Sequence, residues 1–464
     1  MSKSLLAAAL LAASWPVLAA EESDLAAIRT QINEMKQQYE ARIAALEQKL
    51  ASAERRPLDA APTGAPVAAP PPAAASTANA FNPEVSLILQ GRYRAQRTLA
   101  ERAIGGFVAA GAHAHDTAID PANQRGFSLD HTELVLAANV DPHWRGQAIL
   151  AMKDGAAEVE EAWFRSLGLD QGLGLKVGRQ RSGIGYLNGQ HPHMWDFADA
   201  PLMYRALFGD EGSYLQDGVQ LKWLAPTELF VELGAELGRG AAFPGSERNV
   251  NGAGASALFA HLGGDLGVAH TWRGGLSYLQ TRAQDRSAHF EDVINGVEAL
   301  GNFSGRSSTW LADFVWKWAP NGNPAVRNLK VQGEYFVRAE QGNLACAEAT
   351  AGVAVSCDGV VSDYSTRQRG WYAQTVYQFA PAWRAGLRYE RLDSGRRDLG
   401  TNAAFLAVDA YRPQKSSAMV DYRWSEFSRL RLQYAVDQAT PGFTDRQWTL
   451  QYVMSLGAHG AHTY

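Results

Sequence analysis

Apolar residues recur along this chain with two different periods, and the change between them divides it. Leu25, Ile28, Ile32, Met35, Tyr39, Ile43, Leu46, Leu50 and Ala53 step by threes and fours among Glu, Gln, Lys, Arg and Ala. That spacing predicts a helix with a coiled-coil seam. Two successive steps of four, Met35 to Tyr39 to Ile43, form a stutter that locally unwinds the supercoil. The seam is narrow and the remaining faces are polar, so the helix, spanning 20–56, is expected to self-associate as a homotrimer through residues 25–53. The stretch 57–80, "PLDAAPTGAPVAAPPPAAASTANA", has no apolar period and is dominated by Pro and Ala. It reads as an extended linker, partly polyproline.

From Phe81 onward the period becomes two. Leu229, Val231, Leu233 and Ala235 alternate with Glu232, Gly234 and Glu236; Trp310, Ala312, Phe314, Trp316 and Trp318 alternate with Asp313 and Lys317. Leu430, Leu432 and Tyr434 alternate with Arg429, Arg431 and Gln433, and Trp448, Leu450, Tyr452, Met454 and Leu456 continue to the end. About sixteen such strands can be marked, each of about ten residues, the length a tilted strand needs to cross a bilayer. Their spans are 84–96, 126–140, 143–152, 157–167, 173–182, 214–224, 228–238, 254–264, 269–283, 307–319, 326–340, 367–379, 382–394, 414–424, 427–438 and 446–458. Every even connection is tight, such as "DP" at 141 and "AP" at 380. The odd ones are mostly long: 97–125, 183–213, 239–253, 284–306, 341–366 and 395–413. Long and short connections at opposite ends mark an outer-membrane barrel with periplasmic turns and extracellular loops.

The polar face carries charge in nearly every strand, while the apolar face carries Trp144, Trp223, Trp310, Trp318, Trp383, Trp424 and Trp448 near strand ends. Aromatic girdles of this kind sit at the two edges of a lipid-facing band. Only helices and closed barrels satisfy their backbone in hydrocarbon, so the predicted fold is an all-β transmembrane antiparallel barrel over 81–464 with the charged face as a lumen. About sixteen strands leave an aqueous channel. The aromatic end residue Tyr464 resembles the signal that barrel-assembly machinery reads.

Residues 1–19 read as a signal peptide, with Lys3 ahead of the apolar run Leu5–Ala13 and small residues before the cut. The expected location is therefore the outer membrane, embedded in its lipid, with the helix in the periplasm and within reach of the cell wall. Cys346 and Cys357, close together in a turn-like stretch, are expected to form a disulfide in that compartment. The 43 Lys+Arg against 48 Asp+Glu argue against a nucleic-acid partner. No nucleophile or nucleotide motif points to an enzyme, and no cofactor is required.

Candidate pore-lining groups are Arg145, Lys176, Lys222, Lys317, Lys330, Arg384, Arg388, Arg423, Arg429 and Arg431, faced by Glu232, Glu236, Asp313, Glu334, Glu390 and Asp421. The last strands lean basic, which would favour anions if the charges formed a ring; a mutually paired wall would be weakly selective. "HAHD" places His113, His115 and Asp116 in one long loop, and "HPH" places His191 and His193 in another. His-X-His with a carboxylate suits Zn²⁺ as a ligand or a transported ion. The second loop is unusually apolar and aromatic, so it is expected either to fold inward and narrow the pore or to cap the barrel.

"FNPEVSLILQGRY", "GFSLDHTELVLAANVDPHWRGQA", "RSGIGYLNGQHPHMWDFADAPLMYRALFG" and "DFVWKWAPNGNP" resemble a proteobacterial outer-membrane family whose members are labelled zinc-regulated, TonB-dependent receptors. The resemblance covers nearly all of 81–464 and implies a role in zinc supply. The architecture is also similar to phosphate-selective porins, some of which carry an N-terminal coiled coil. Receptors of the TonB class have about 22 strands around a plug, whereas here about sixteen strands follow a helix and a linker. Three functions follow as expectations: a porin-like channel for small polar solutes, a metal-capturing receptor, and a barrel that only anchors a structural helix.

Overall fold

The computed structural model describes residues 83–99, 102–107, 124–153, 156–209, 212–407 and 410–457. The expected signal peptide, helix and linker lie outside these residues, as do Tyr464, His113, His115 and Asp116.

Sixteen antiparallel strands close on themselves. They are β1 (Glu84–Ala95), β2 (Gly126–Leu129 continued by Thr132–Asn139), β3 (Trp144–Lys153), β4 (Ala156–Ser166), β5 (Leu173–Arg181), β6 (Leu215–Leu224), β7 (Phe230–Gly238) and β8 (Ala255–Leu266). The second half is β9 (His270–Asp292), β10 (Val297–Trp318), β11 (Asn328–Glu348), β12 (Val361–Ala380), β13 (Trp383–Asp393), β14 (Gln414–Ser425), β15 (Ser428–Gln438) and β16 (Asp445–Gly457). A two-residue piece, Arg397–Asp398, adds to β12 outside this ring. Closure is made by β1 against β16, in register from Ser86↔Gly457 to Ala95↔Trp448. Within the ring, each strand among the described residues has a partner on both sides along the belt, which is the condition for a sheet to stand in hydrocarbon.

The burial pattern is that of a globular protein turned inside out. Leu258, Leu262, Leu276, Phe314, Leu387, Leu432 and Met454 are exposed on the outer face. Gln332, Glu334, Arg338, Gln374, Arg388 and Asp421 are buried on the inner one. The outer rings form pairs at the belt's edges: Tyr278 with Trp310 (centroids 4.8 Å apart) and Trp371 with Tyr389 (5.5 Å) at one edge, Trp383 with Tyr422 (4.8 Å) at the other.

One set of expected strand ends is corrected. β9 to β12 run well past 283, 307, 340 and 367, and the intervening connections shrink to 293–296 and 349–360. Beyond the belt the alternation continues but its chemistry reverses. Phe290, Phe303, Leu344 and Tyr364 now face inward and pack together with Leu399 and Leu406. A disulfide joins Cys346 to Cys357 in this same crown. There the outer medium is water, so the apolar side must turn in, as in any soluble sheet.

Candidate functional site: the loop inside the barrel

The segment from Ser182 to Tyr214 turns into the lumen, which resolves the choice left open between narrowing and capping. It contains a short 3₁₀ turn (Pro192–Met194) and one helix, α1 (Leu202–Phe208). Ile184, Leu187, Leu202, Met203, Tyr204 and Leu207 pack against inward Phe259, Leu279, Leu311, Phe336, Tyr372 and Leu392. This apolar contact explains why a loop needs so many large side chains: its environment is the barrel wall.

A loop inside a barrel carries backbone N–H groups that must find acceptors. The wall's carboxylates supply them. Glu334 accepts from the N–H of Tyr186 (3.1 Å) and Leu187 (3.0 Å) and from the hydroxyls of Tyr204 (2.7 Å) and Tyr372 (2.6 Å). Gly185 lies so close that a Cβ there would sit 2.6 Å from a Glu334 carboxylate oxygen, at φ +66°. Glu236 accepts from Ser182 Oγ (2.5 Å) and Gly183 N (2.8 Å), and Glu390 from Leu202 N.

The loop's own acids meet the wall's cations. Asp196 pairs with Lys330 (2.9 Å) and Arg384 (3.1 Å). Asp199 pairs with Arg388 (2.7 Å) and Lys415 (2.5 Å). Burial opposes ionisation of both, but these cations hold each carboxyl below the usual carboxylate range. Arg429 and Arg431 donate to the backbone carbonyls of His193 (2.7 Å) and Trp195 (2.8 Å).

The expected lining groups therefore lie on the inner face, with most of their charge matched. Arg145 pairs with Glu84, Lys176 lies 3.8 Å from Glu161, Lys222 pairs with Glu232, and Asp421 sits between Arg384 and Arg431. Lys317 and Arg423 also sit on this face, in β10 and β14. Both carboxylate oxygens of Asp313 are buried without a hydrogen-bond partner among the described residues. The basic lean of the last strands is not an open ring; it is the clamp on the loop.

One open space lies on the other side, between the loop and β1, β2 and β14–β16, and a second, larger one is bordered by β2–β6 and the connection after β7, with Glu158, Glu160, Asp217 and Glu247 against Arg179 and Arg239. Arg92, Arg94, Arg102, Arg205 and Lys415 border the first space against Asp130, Asp199 and Asp437 among the described residues. Arg92 is held by Asp130 (2.8 Å), Arg102 by Asp445 (2.8 Å) and Lys415 by Asp199. Arg94 forms no ion pair among the described residues. Alternation alone places Arg92 and Arg94 on the inward parity of β1, but their number matters only once the loop has shut the opposite side.

His191 and His193 are brought together by the loop, with rings 5.7 Å apart. They meet three wall residues that spacing did not single out, Glu133, Glu160 and Glu161, and a third histidine, His131. Two bulges put these there. In β2, the N–H groups of Asp130 and His131 both point to Gln90 O. In β4, the register skips between Ile149↔Glu161 and Leu150↔Val159, leaving Glu160 as the extra residue. A bulge re-aims side chains, so neighbours in sequence can share one face, which strict alternation forbids. Burial opposes protonation of His191, yet Glu133 and Glu161 more than offset it and raise the imidazole to about 9.

A closed barrel of sixteen strands, apolar outside and charged within, narrowed by one inward loop, is a porin-like outer-membrane protein. No family model matches this chain. An uncharacterized protein of Aquifex aeolicus (strain VF5) is 31% identical over 417 residues, covering 83% of this chain and 80% of that one, and this chain belongs to the same family. Among solved structures, an L8-deletion mutant of Vibrio cholerae OmpT is similar over 81% of this chain and 99% of its own, with 11% identity and a TM-score of 0.48. The anion-selective porin of Comamonas acidovorans is similar over 81% and 99%, with 9% identity and 0.47. The channel DcaP of Acinetobacter baumannii is similar over 81% and 97%, with 12% identity and 0.44.

Proposed function

We propose that the protein is a narrow channel for small polar solutes and that it favours anions. The observation that carries this reading is the slot beside the loop, where five cationic side chains border the opening against three carboxylates among the described residues. A cationic constriction in a low-dielectric surround raises the local anion concentration and repels cations. Arg94, unmatched by any carboxylate among the described residues, contributes most. In planar bilayers under a KCl gradient, the reversal potential is expected to report chloride preference. Arg94→Glu should lower that preference at least about twofold. Steady openings that prefer potassium, or no openings at all, would overturn the reading.

The reading includes trimerisation through residues 25–53. Deleting 20–56 should leave only monomer on native gels, and an unchanged oligomer would refute it. A second reading, capture of a zinc-class ion within the lumen, draws on the histidine cluster.

A further inference from the structure

We infer that His131, Glu133 and Glu160, with His191 and His193 of the loop beside them, form a binding site for a divalent transition metal of the zinc class, bridging the barrel wall to the inward loop. The six residues concerned come from three separate segments: His131 and Glu133 from β2, Glu160 and Glu161 from β4, His191 and His193 from the loop. Their ligand atoms converge. His131 Nε2 lies 3.2 Å from Glu133 Oε1 and 3.1 Å from Glu160 Oε2. His193 Nδ1 lies 3.0 Å from Glu133 Oε1, and His191 Nδ1 lies 3.3 Å from Glu133 Oε2. Tetrahedral ligands about 2.0–2.1 Å from a zinc ion stand roughly 3.3 Å from one another; each imidazole nitrogen is near that distance from a Glu133 oxygen, and the ligand atoms of His131, Glu133 and Glu160 lie within 4.8 Å of one another.

A second observation points to a ligand. Glu133 is 1% exposed, and its Oε2 is buried with no hydrogen-bond partner; His191 Nδ1 is likewise buried and unpartnered. These two atoms face each other. At 3.3 Å they form an ion pair too long for a good hydrogen bond, and a metal ion that displaced the imidazole proton would take both atoms as ligands.

The surroundings suit that role. His191 Nε2 lies 3.2 Å from Glu161 Oε1, so the ring can give its other N–H to a carboxylate while Nδ1 points at the site. Such an outer carboxylate fixes ring orientation and strengthens the ligand. Glu160 and Glu161 are in turn held by Arg181, whose Nη2 contacts Glu160 and whose Nε is 3.4 Å from Glu161. Lys176 lies 3.8 Å from Glu161. These cations offset part of the negative charge of Glu160 and Glu161, and three imidazoles complete the donor set around Glu133 and Glu160. Nitrogen-rich donors select zinc, cobalt or nickel over calcium and magnesium, which take oxygen.

The test uses the full chain, purified in detergent and stripped with a chelator, then titrated calorimetrically with Zn²⁺ and followed with Co²⁺ by visible absorption. One ion per chain is expected, with cobalt bands of low-coordinate nitrogen and oxygen ligation. Glu133→Gln and the double variant His191→Ala/His193→Ala should each weaken binding by more than a hundredfold. Glu161→Gln should cost about 10–100-fold. Absence of stoichiometric binding, or binding that survives Glu133→Gln, would overturn the proposal. Glu133→Gln replaces one oxygen by an amide, so it carries the test even if the double variant does not insert. Binding is read apart from conduction, so it can fail without touching the channel reading.

Discussion

On β10 the outward side chains read Glu298, Leu300, Asn302, Ser304, Arg306 and Ser308, and then Trp310, Ala312, Phe314, Trp316 and Trp318. On β12 they read Val361, Asp363, Ser365, Arg367 and Arg369, and then Trp371, Ala373, Thr375, Tyr377 and Phe379. The inward side chains change in the opposite sense. Phe303 and Tyr364 give way to Asp313 and Gln374. Crown and belt are thus one continuous sheet with one alternation and opposite chemistry on its two faces. The boundary is marked by Tyr278, whose ring packs at a tilt against Trp310 below and whose hydroxyl reaches Ser308 above at 3.3 Å. Backbone geometry cannot tell the two regions apart. The medium outside does: lipid inverts the rule that apolar surface turns inward, and water restores it.

The two interiors are also held together differently. The belt's lumen is filled by a loop secured through buried hydrogen bonds and ion pairs in addition to apolar packing, the crown mainly by aromatic and aliphatic packing. The largest effect is expected where one acceptor serves four donors. Glu334→Leu strands two loop N–H groups and two tyrosine hydroxyls, at about 1–3 kcal/mol for each donor left buried and unpaired. The loop should leave the wall, with larger and noisier single-channel currents and protease cleavage within 182–214. A variant with unchanged conductance would show that apolar packing alone retains it.

Next in size is the crown. Phe303→Ala should cost about 3–5 kcal/mol of local packing. Limited proteolysis should then cut the tips of β9–β12 while the belt still migrates as a folded barrel on unboiled gels. Loss of the folded barrel as well would mean that the two regions form one cooperative unit. The sharpest contrast is on the outer face. Leu387→Arg, mid-belt and 62% exposed, should destabilise insertion by about 2–4 kcal/mol. Arg306→Leu, on the crown's outer face, should shift stability by no more than about 0.5 kcal/mol. Denaturant titration of both variants in lipid vesicles measures the difference, and equal effects would place the lipid boundary elsewhere.

The strand number, the direction of each face and the short-turn end were legible in residues such as Leu229–Glu236 and Trp310–Trp318. Successive side chains of a strand point to opposite faces, so strict alternation over about ten residues marks an extended segment between two unlike media. Strand ends in β9–β12 were not legible. A reading that follows outward apolar side chains stops where the polarity reverses, at Ala283 and near Ser308, although the pairing continues. Of the histidine cluster, only "HPH" stood out. His131 and the adjacent glutamates Glu160 and Glu161 sit at bulges, which shift parity without leaving a distinctive residue type behind.

By itself, then, the order of residues determined that this chain makes a barrel with a charged interior, since side-chain alternation and turn chemistry act between near neighbours. It also determined that the loop after β5 is too apolar for water. Only the tertiary structure decided which wall the loop clamps to, which cations are matched and which remain to line an opening. It also decided that His131 from β2 and His191 from the loop would meet around the same two glutamates, Glu133 and Glu160. Those outcomes depend on closure and on bulges, which bring together residues dozens of positions apart, and no local pattern records such distances.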